Sequence, residues 1–101
     1  MPQFEWDKNK NSINKKKHRV SFEKAKEVFE DDDAIEKLGN SKTEVRFLRV
    51  GKTVETIILA VVYTLRTTVI RIISARQASR KEINAYIEHK FNKSEPDENQ
   101  H

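Results

Sequence analysis

One stretch constrains this chain more than any other. Arg71-Ile72-Ile73-Ser74-Ala75-Arg76 is an apolar run framed by arginines, and Ser79-Arg80-Lys81-Glu82 follows almost at once. The run has the β-branched content of a strand buried in a sheet. Ser79 and Glu82 stand at the S-x-x-E spacing of a capping box, so the chain passes from sheet to helix within a few residues. That helix carries Ile83, Tyr86, Ile87 and Phe91 on one face, which is expected to pack on the sheet.

The stretches before it supply the rest of a small sheet. Glu44 to Val50 alternates, with Val45, Phe47 and Arg49 on one face and Arg46, Leu48 and Val50 on the other. Thr56 to Thr64 is rich in β-branched residues and reads as a central strand. Gly51-Lys52 and Arg66-Thr67 are the expected turns, and links this short imply an antiparallel meander. Ala34 to Leu38 is a candidate edge strand, followed by a turn at Gly39-Asn40-Ser41-Lys42. Toward the N-terminus, Gln3 to Trp6 is a short strand or an extended arm. Asp7 caps a helix over about 8–17 whose only strongly apolar residue is Ile13, so it should touch the core lightly. Ser21 caps a second helix to about Glu30, with Phe22, Ala25, Val28 and Phe29 at helical spacing. The expected fold is α+β: a small antiparallel sheet, two N-terminal helices and one C-terminal helix. Residues 1–92 form a single domain, and 93–101, which hold no apolar residue, form a frayed, disordered polar tail.

Charge is distributed unevenly. Residues 1–20 hold six Lys/Arg against two acids, 21–40 three against seven, and 41–92 ten against four. The cations thus concentrate in the first helix and the strand region, where an anionic partner such as nucleic acid would meet them. Cysteine is absent, which excludes disulfides, thiol catalysis and Cys-based zinc sites. His18, His89 and His101 have no ligand spacing, so no metal or other cofactor is expected. The N-terminus lacks a signal-peptide apolar region, and the longest apolar run, Ile57 to Tyr63, is too short to span a bilayer. A cytoplasmic protein with no membrane partner is the simplest reading.

No Gly-rich phosphate loop or nucleophilic triad is present. The Arg, Lys, His and Glu residues on a small sheet suit phosphodiester cleavage without a metal. RNA brings its own 2′-hydroxyl nucleophile and needs a base, an acid and cations for the phosphorane. His18 is a candidate general acid or base, but a histidine also suits the C-terminal end of a helix. Arg71 and Arg76 differ in strand parity and should face opposite ways unless a bulge or the strand end re-aims one. Arg76, beside a helix start, is then the better phosphate ligand, with Ser74 on its face. Either arginine has the alternative of pairing with a carboxylate. Arg46 or Arg49 should reach the open side of the sheet. Glu82 has its capping role as an alternative, Trp6 and Tyr63 are core residues or base-stacking platforms, and Lys15 to Lys17 are a solvated face that attracts phosphate.

Phe4-Glu5-Trp6-Asp7, Lys10, Asn14, Lys17-His18, Val20-Ser21-Phe22-Glu23, Ala25 and Val28-Phe29 resemble the opening of the BrnT family. Arg46-Phe47, Gly51, Val61-Val62-Tyr63-Thr64, Arg71 to Arg76, Ala78 to Glu82 and Tyr86 resemble its second half. The resemblance covers about residues 4–88. It implies a ribonuclease toxin of a type II toxin–antitoxin system, with a RelE-like architecture and a BrnA-like antitoxin as partner. It also implies that operator DNA is bound only through the antitoxin complex. Arg19 stands where the family usually has Gly, so the exit from the first helix is expected to differ. On this reading Arg46 and Arg76 hold the scissile phosphate of an mRNA, His18 or Glu82 moves the proton, and Lys17, Arg71, Ser74 and Arg80 contact RNA around it. A non-catalytic nucleic-acid or protein-binding module with a basic docking face is the alternative.

Overall fold

The computed structural model describes residues 2–39 and 41–94. The order of elements is β1 (Gln3–Glu5), α1 (Lys8–His18), α2 (Phe22–Ala25) running into a 3-10 turn (Lys26–Glu30), β2 (Ile35–Leu38), β3 (Phe47–Lys52), β4 (Ile58–Arg66), β5 (Val69–Gln77) and α3 (Arg80–Ser94). The five strands lie in the order β1-β5-β4-β3-β2. Four of them, β2 to β5, form the expected antiparallel meander, but β1 runs parallel to β5. The sheet is therefore mixed. Of the two expected N-terminal helices only α1 is a full one; the second is a single α-turn that tightens into the 3-10 turn. The edge strand and the expected N-caps are present. Asp7 Oδ1 accepts the Lys10 N–H at 3.0 Å, and Ser21 Oγ accepts that of Lys24 at 3.0 Å. The turn residue Asn40 and the tail from residue 95 lie outside the described residues.

One turn and one helix exit differ from expectation. Gly51 and Lys52 are in β3, and the chain turns later, around Val54–Thr56, where Thr56 takes φ 68°. Gly51 is there for space: a Cβ would lie 3.0 Å from Val28 Cβ and 3.1 Å from Ala34 Cβ, where the 3-10 turn crosses the strand. Arg19, in the family's glycine position, adopts the left-handed exit itself, with φ 61° and its N–H on Lys15 O at 2.9 Å. The exit geometry is kept, at a cost of about 1 kcal/mol in backbone strain.

The core fills one face of the sheet. Phe22, Val28, Leu59, Val61, Ile72 and Ala75 are fully buried there, and an aromatic string runs Phe4–Phe29–Tyr63–Phe47 with centroids 4.9–5.3 Å apart. Trp6 packs edge-on against Phe22. Trp6 and Tyr63 are thus core residues. Arg49 also belongs to this face: its guanidinium donates to Val28 O, Asp31 O and the Glu36 carboxylate and lies over the Phe29 ring.

The helix α1 docks by a means that apolar periodicity does not reveal. Ile13 is exposed, and the buried residues are Asn11 and Asn14. Since β1 pairs only with residues 69–71, the outer edge of β5 beyond them lacks a neighbouring strand. Asn14 takes its place. Its Nδ2 donates to Ala75 O at 2.7 Å and Val20 O at 2.8 Å, while its Oδ1 accepts the Ala75 N–H at 3.2 Å. Asn11 likewise accepts the Phe22 N–H and donates to Glu23.

Helix α3 crosses the opposite, open face at one end. Only Tyr86 of its apolar stripe is buried, against Val50 and Ala60; Ile83 is half-buried, and Ile87 and Phe91 are exposed. The expectation that all four pack on the sheet therefore fails. Tyr86 is fastened by its hydroxyl, which donates to Asp31 Oδ2 at 2.7 Å; the Lys52 N–H donates to the same oxygen. Burial, and then this hydrogen bond, raise the Tyr86 phenol well above its ordinary value.

A candidate phosphate-binding site on the open face

The framing arginines do not point opposite ways. Arg71 is paired with Thr64, Ser74 with Val62 and Arg76 with Ala60, so all three face the open side of the sheet. A β-bulge makes this possible: the register slips between Val62 and Tyr63, leaving Ile73 as the extra residue on β5. Ile70 and Ile72 face the core before the bulge and Ala75 after it. The regular parity expected for this strand is thus broken in its middle.

What separates the two arginines is position and partner. Arg71 lies by β1 and donates to Glu5 Oε2 at 3.0 Å. Arg76 lies by α3 and grips Glu82 with a two-pronged fork, Nη1 to Oε1 at 2.7 Å and Nη2 to Oε2 at 2.9 Å. Glu82 also accepts the Ser79 N–H at 2.8 Å, and Ser79 Oγ accepts the Glu82 N–H at 3.2 Å. The capping box is therefore formed, and its carboxylate serves the helix and the arginine together. The Arg76 fork, aided by the Ser79 N–H, holds the Glu82 carboxyl down at about 2 against the opposing effect of burial. Glu82 is consequently ionised at neutral pH and is no proton donor in this state.

Arg76 and Glu82 line an open cavity of about 540 Å³. Arg46, Ser74, Arg76 and Glu82 stand on its walls over a floor of Leu48 and Val62, with Lys37 at the rim. Arg46 comes from the residue before β3, on the open side as its parity requires, and its Nε donates to Glu44 at 3.0 Å. Four of the residues singled out in the sequence thus meet in one place. The other four do not line this cavity. His18 ends α1 and is half-buried, Lys17 beside it is exposed, Arg80 opens α3 in solvent, and Arg71 is held by Glu5. Lys37 and Asn14 were missed as contributors. Nothing in the sequence marks Lys37, whereas a buried polar residue on a helix with almost no apolar face was a usable signal for Asn14.

Chemically, the cavity offers two guanidiniums and a hydroxyl to an anion, with one carboxylate already paired. Arginine forks match the tetrahedral oxygens of phosphate in a way a lysine does not. Among the described residues, no three His, Cys, Asp or Glu side chains are grouped to hold a metal ion, and no helix is long and apolar enough to cross a membrane.

The fold and cavity define a small α+β protein whose open face gathers two arginines around a cavity. The family model for "Ribonuclease toxin, BrnT, of type II toxin-antitoxin system" matches residues 6–82, and the chain belongs to that family. Among solved structures it is similar to the ribonuclease toxin BrnT of Brucella abortus, with a TM-score of 0.60 and 25% identity, over 79% of this chain and 100% of that one. No curated protein matches the sequence significantly.

Proposed function

We propose that the open-face cavity cleaves RNA without a metal ion, and that Arg46 and Arg76 form its phosphate clamp. The observation that carries this reading is the convergence of Arg46, Ser74, Arg76 and Glu82 on one cavity from three separate elements. The scissile phosphate sits between the two guanidiniums, which take the place of a metal in neutralising the phosphorane. A phosphate drawing on the Arg76 fork loosens its hold on Glu82. The carboxylate then becomes more basic and takes the 2′-hydroxyl proton. The 2′-oxygen bonds to phosphorus, the bond to the 5′-oxygen breaks, and that oxygen takes a proton from water at the open mouth. The products are a 2′,3′-cyclic phosphate and a 5′-hydroxyl. Lys17 at the end of α1, with Arg71 and Arg80, attracts the flanking phosphates, as cations outside the cavity do for any polyanion, and the His18 imidazole beside it offers them a hydrogen bond.

As a family member the chain has an antitoxin and an RNA target. In this reading the target is mRNA in the cytoplasm, so that cleavage blocks translation. The antitoxin is BrnA-like and covers the open face, operator DNA is reached only through that complex, and the architecture is a variant of the RelE plan. The domain expected over 1–92 runs two residues further, to the end of α3 at Ser94. The test is incubation of purified protein with RNA in excess chelator. New ends bearing 2′,3′-cyclic phosphate support the reading; RNA that is bound in a salt-dependent manner but left intact supports a non-catalytic docking module instead.

A further inference from the structure

A second cavity adjoins the clamp. It holds about 240 Å³ between β2, β3 and the start of α3, and it shares Lys37, Leu48 and Glu82 with the first. Its floor is aliphatic, made by Ile35, Leu48 and Val50; its rim carries Lys37, Lys81 and the Ser79 hydroxyl. The register explains the floor: Ile35 pairs with Val50 and Lys37 with Leu48, so these four side chains share the open face.

The charges at this rim are of one kind. Glu36 borders the cavity, but its carboxylate is taken by Arg49 at 2.9 Å and Tyr63 at 2.6 Å on the core side. Glu82 is taken by Arg76. Among the described residues, neither Lys37 nor Lys81 has a carboxylate in ion-pair range. A flat apolar slot with unengaged cationic donors at its edge suits a heteroaromatic ring that presents acceptors. At the ring position where guanine and uracil carry a keto oxygen, O6 or O4, adenine and cytosine carry an exocyclic amine, a donor that a lysine rim cannot satisfy.

We propose that this cavity seats a keto base, guanine or uracil, of the nucleotide next to the scissile phosphate, and so sets where the RNA is cut. The proposal rests on the ribonuclease reading above and adds to it a specificity subsite. Contiguity argues for a base of the same RNA strand: a phosphate on Arg76 leaves its neighbouring nucleotide beside Glu82, at the mouth of the slot.

The test is sequencing of the ends produced from RNA of randomised sequence by the wild-type chain, Lys37→Ala, Lys81→Ala and Ala85→Phe. Ala85 is exposed on the cavity wall, so a phenyl ring there fills the slot while both lysines stay. Wild-type cuts should carry guanine or uracil at one fixed position beside the break. That preference should fall about fivefold or more in either lysine variant. In Ala85→Phe, cutting at keto sites should slow to the rate at the others. Cleavage without base preference, or a preference unchanged in all three variants, overturns the subsite and leaves the ribonuclease intact. RNA uncut by the wild-type chain overturns both.

Discussion

Arg76 and Glu82 hold each other by two hydrogen bonds of 2.7 and 2.9 Å, and in doing so they tie the end of β5 to the first turn of α3. The pair is at once a structural clasp and, in the proposed mechanism, the switchable half of a phosphate clamp. Arg76 remains partly exposed while Glu82 is mostly covered, so an incoming phosphate meets the arginine first.

The two arginines of β5 should then differ sharply in function. Arg76→Ala is expected to lower kcat/KM for RNA cleavage by about 10²–10³-fold, the usual loss for removing a donor to transition-state charge. Arg71→Ala, which removes a pair with Glu5 at the β1 edge of the same open face, should cost less than about threefold. Kinetics on one defined RNA, with circular dichroism to confirm the fold, checks both.

Acid should undo the clasp. The Glu82 carboxyl is held at about 2, below its ordinary value. A group depressed on folding stabilises the protein above its unfolded pKa and loses that stabilisation as pH falls through the folded one. Glu82→Gln should therefore be less stable than wild type by roughly 2 kcal/mol at pH 7, allowing for solvent screening of Arg76. The gap should shrink between about pH 4.5 and 2. Urea titrations of both chains across this range measure it.

Asn14 stands in for a missing strand, and Ala75, its partner, lies between Ser74 and Arg76. Asn14→Ala leaves buried backbone groups without partners, at about 3 kcal/mol. For a domain of this size the melting temperature should fall by more than about 10 °C. Amide exchange at Ala75 should rise with it.

Arg19 offers the opposite change. Glycine at a left-handed helix exit relieves strain, so Arg19→Gly should stabilise the chain by about 0.5–1 kcal/mol. Thermal unfolding of the two chains side by side gives the sign.

The elements most legible from sequence were those with local chemistry of their own. Asp7, Ser21 and the Ser79–Glu82 box mark helix starts because their side chains bond backbone N–H groups three residues away. The faces of β3 followed from simple alternation, and with them the open-side position of Arg46. What could not be read was set by distant contacts. The bulge at Ile73 reverses the parity of β5, yet nothing in Arg71 to Arg76 announces it. Gly51 suggested a turn, though it is required by Val28 and Ala34 crossing β3. The parallel pairing of β1 and the asparagine docking of α1 are likewise tertiary facts. For the site, alternation placed Ser74 beside Arg76, the resemblance added Arg46 and Glu82, and the place of His18 depended on how α1 lies.

The central claim is that Arg46 and Arg76 act on one phosphate. It is tested most directly by single-turnover cleavage of a defined RNA by the wild-type chain, Arg46→Ala, Arg76→Ala and the double variant. Residues gripping the same group are energetically coupled, so the double variant should lose at least about 1 kcal/mol less than the sum of the single losses. Strictly additive losses, or wild-type rates in either single variant, would contradict the account.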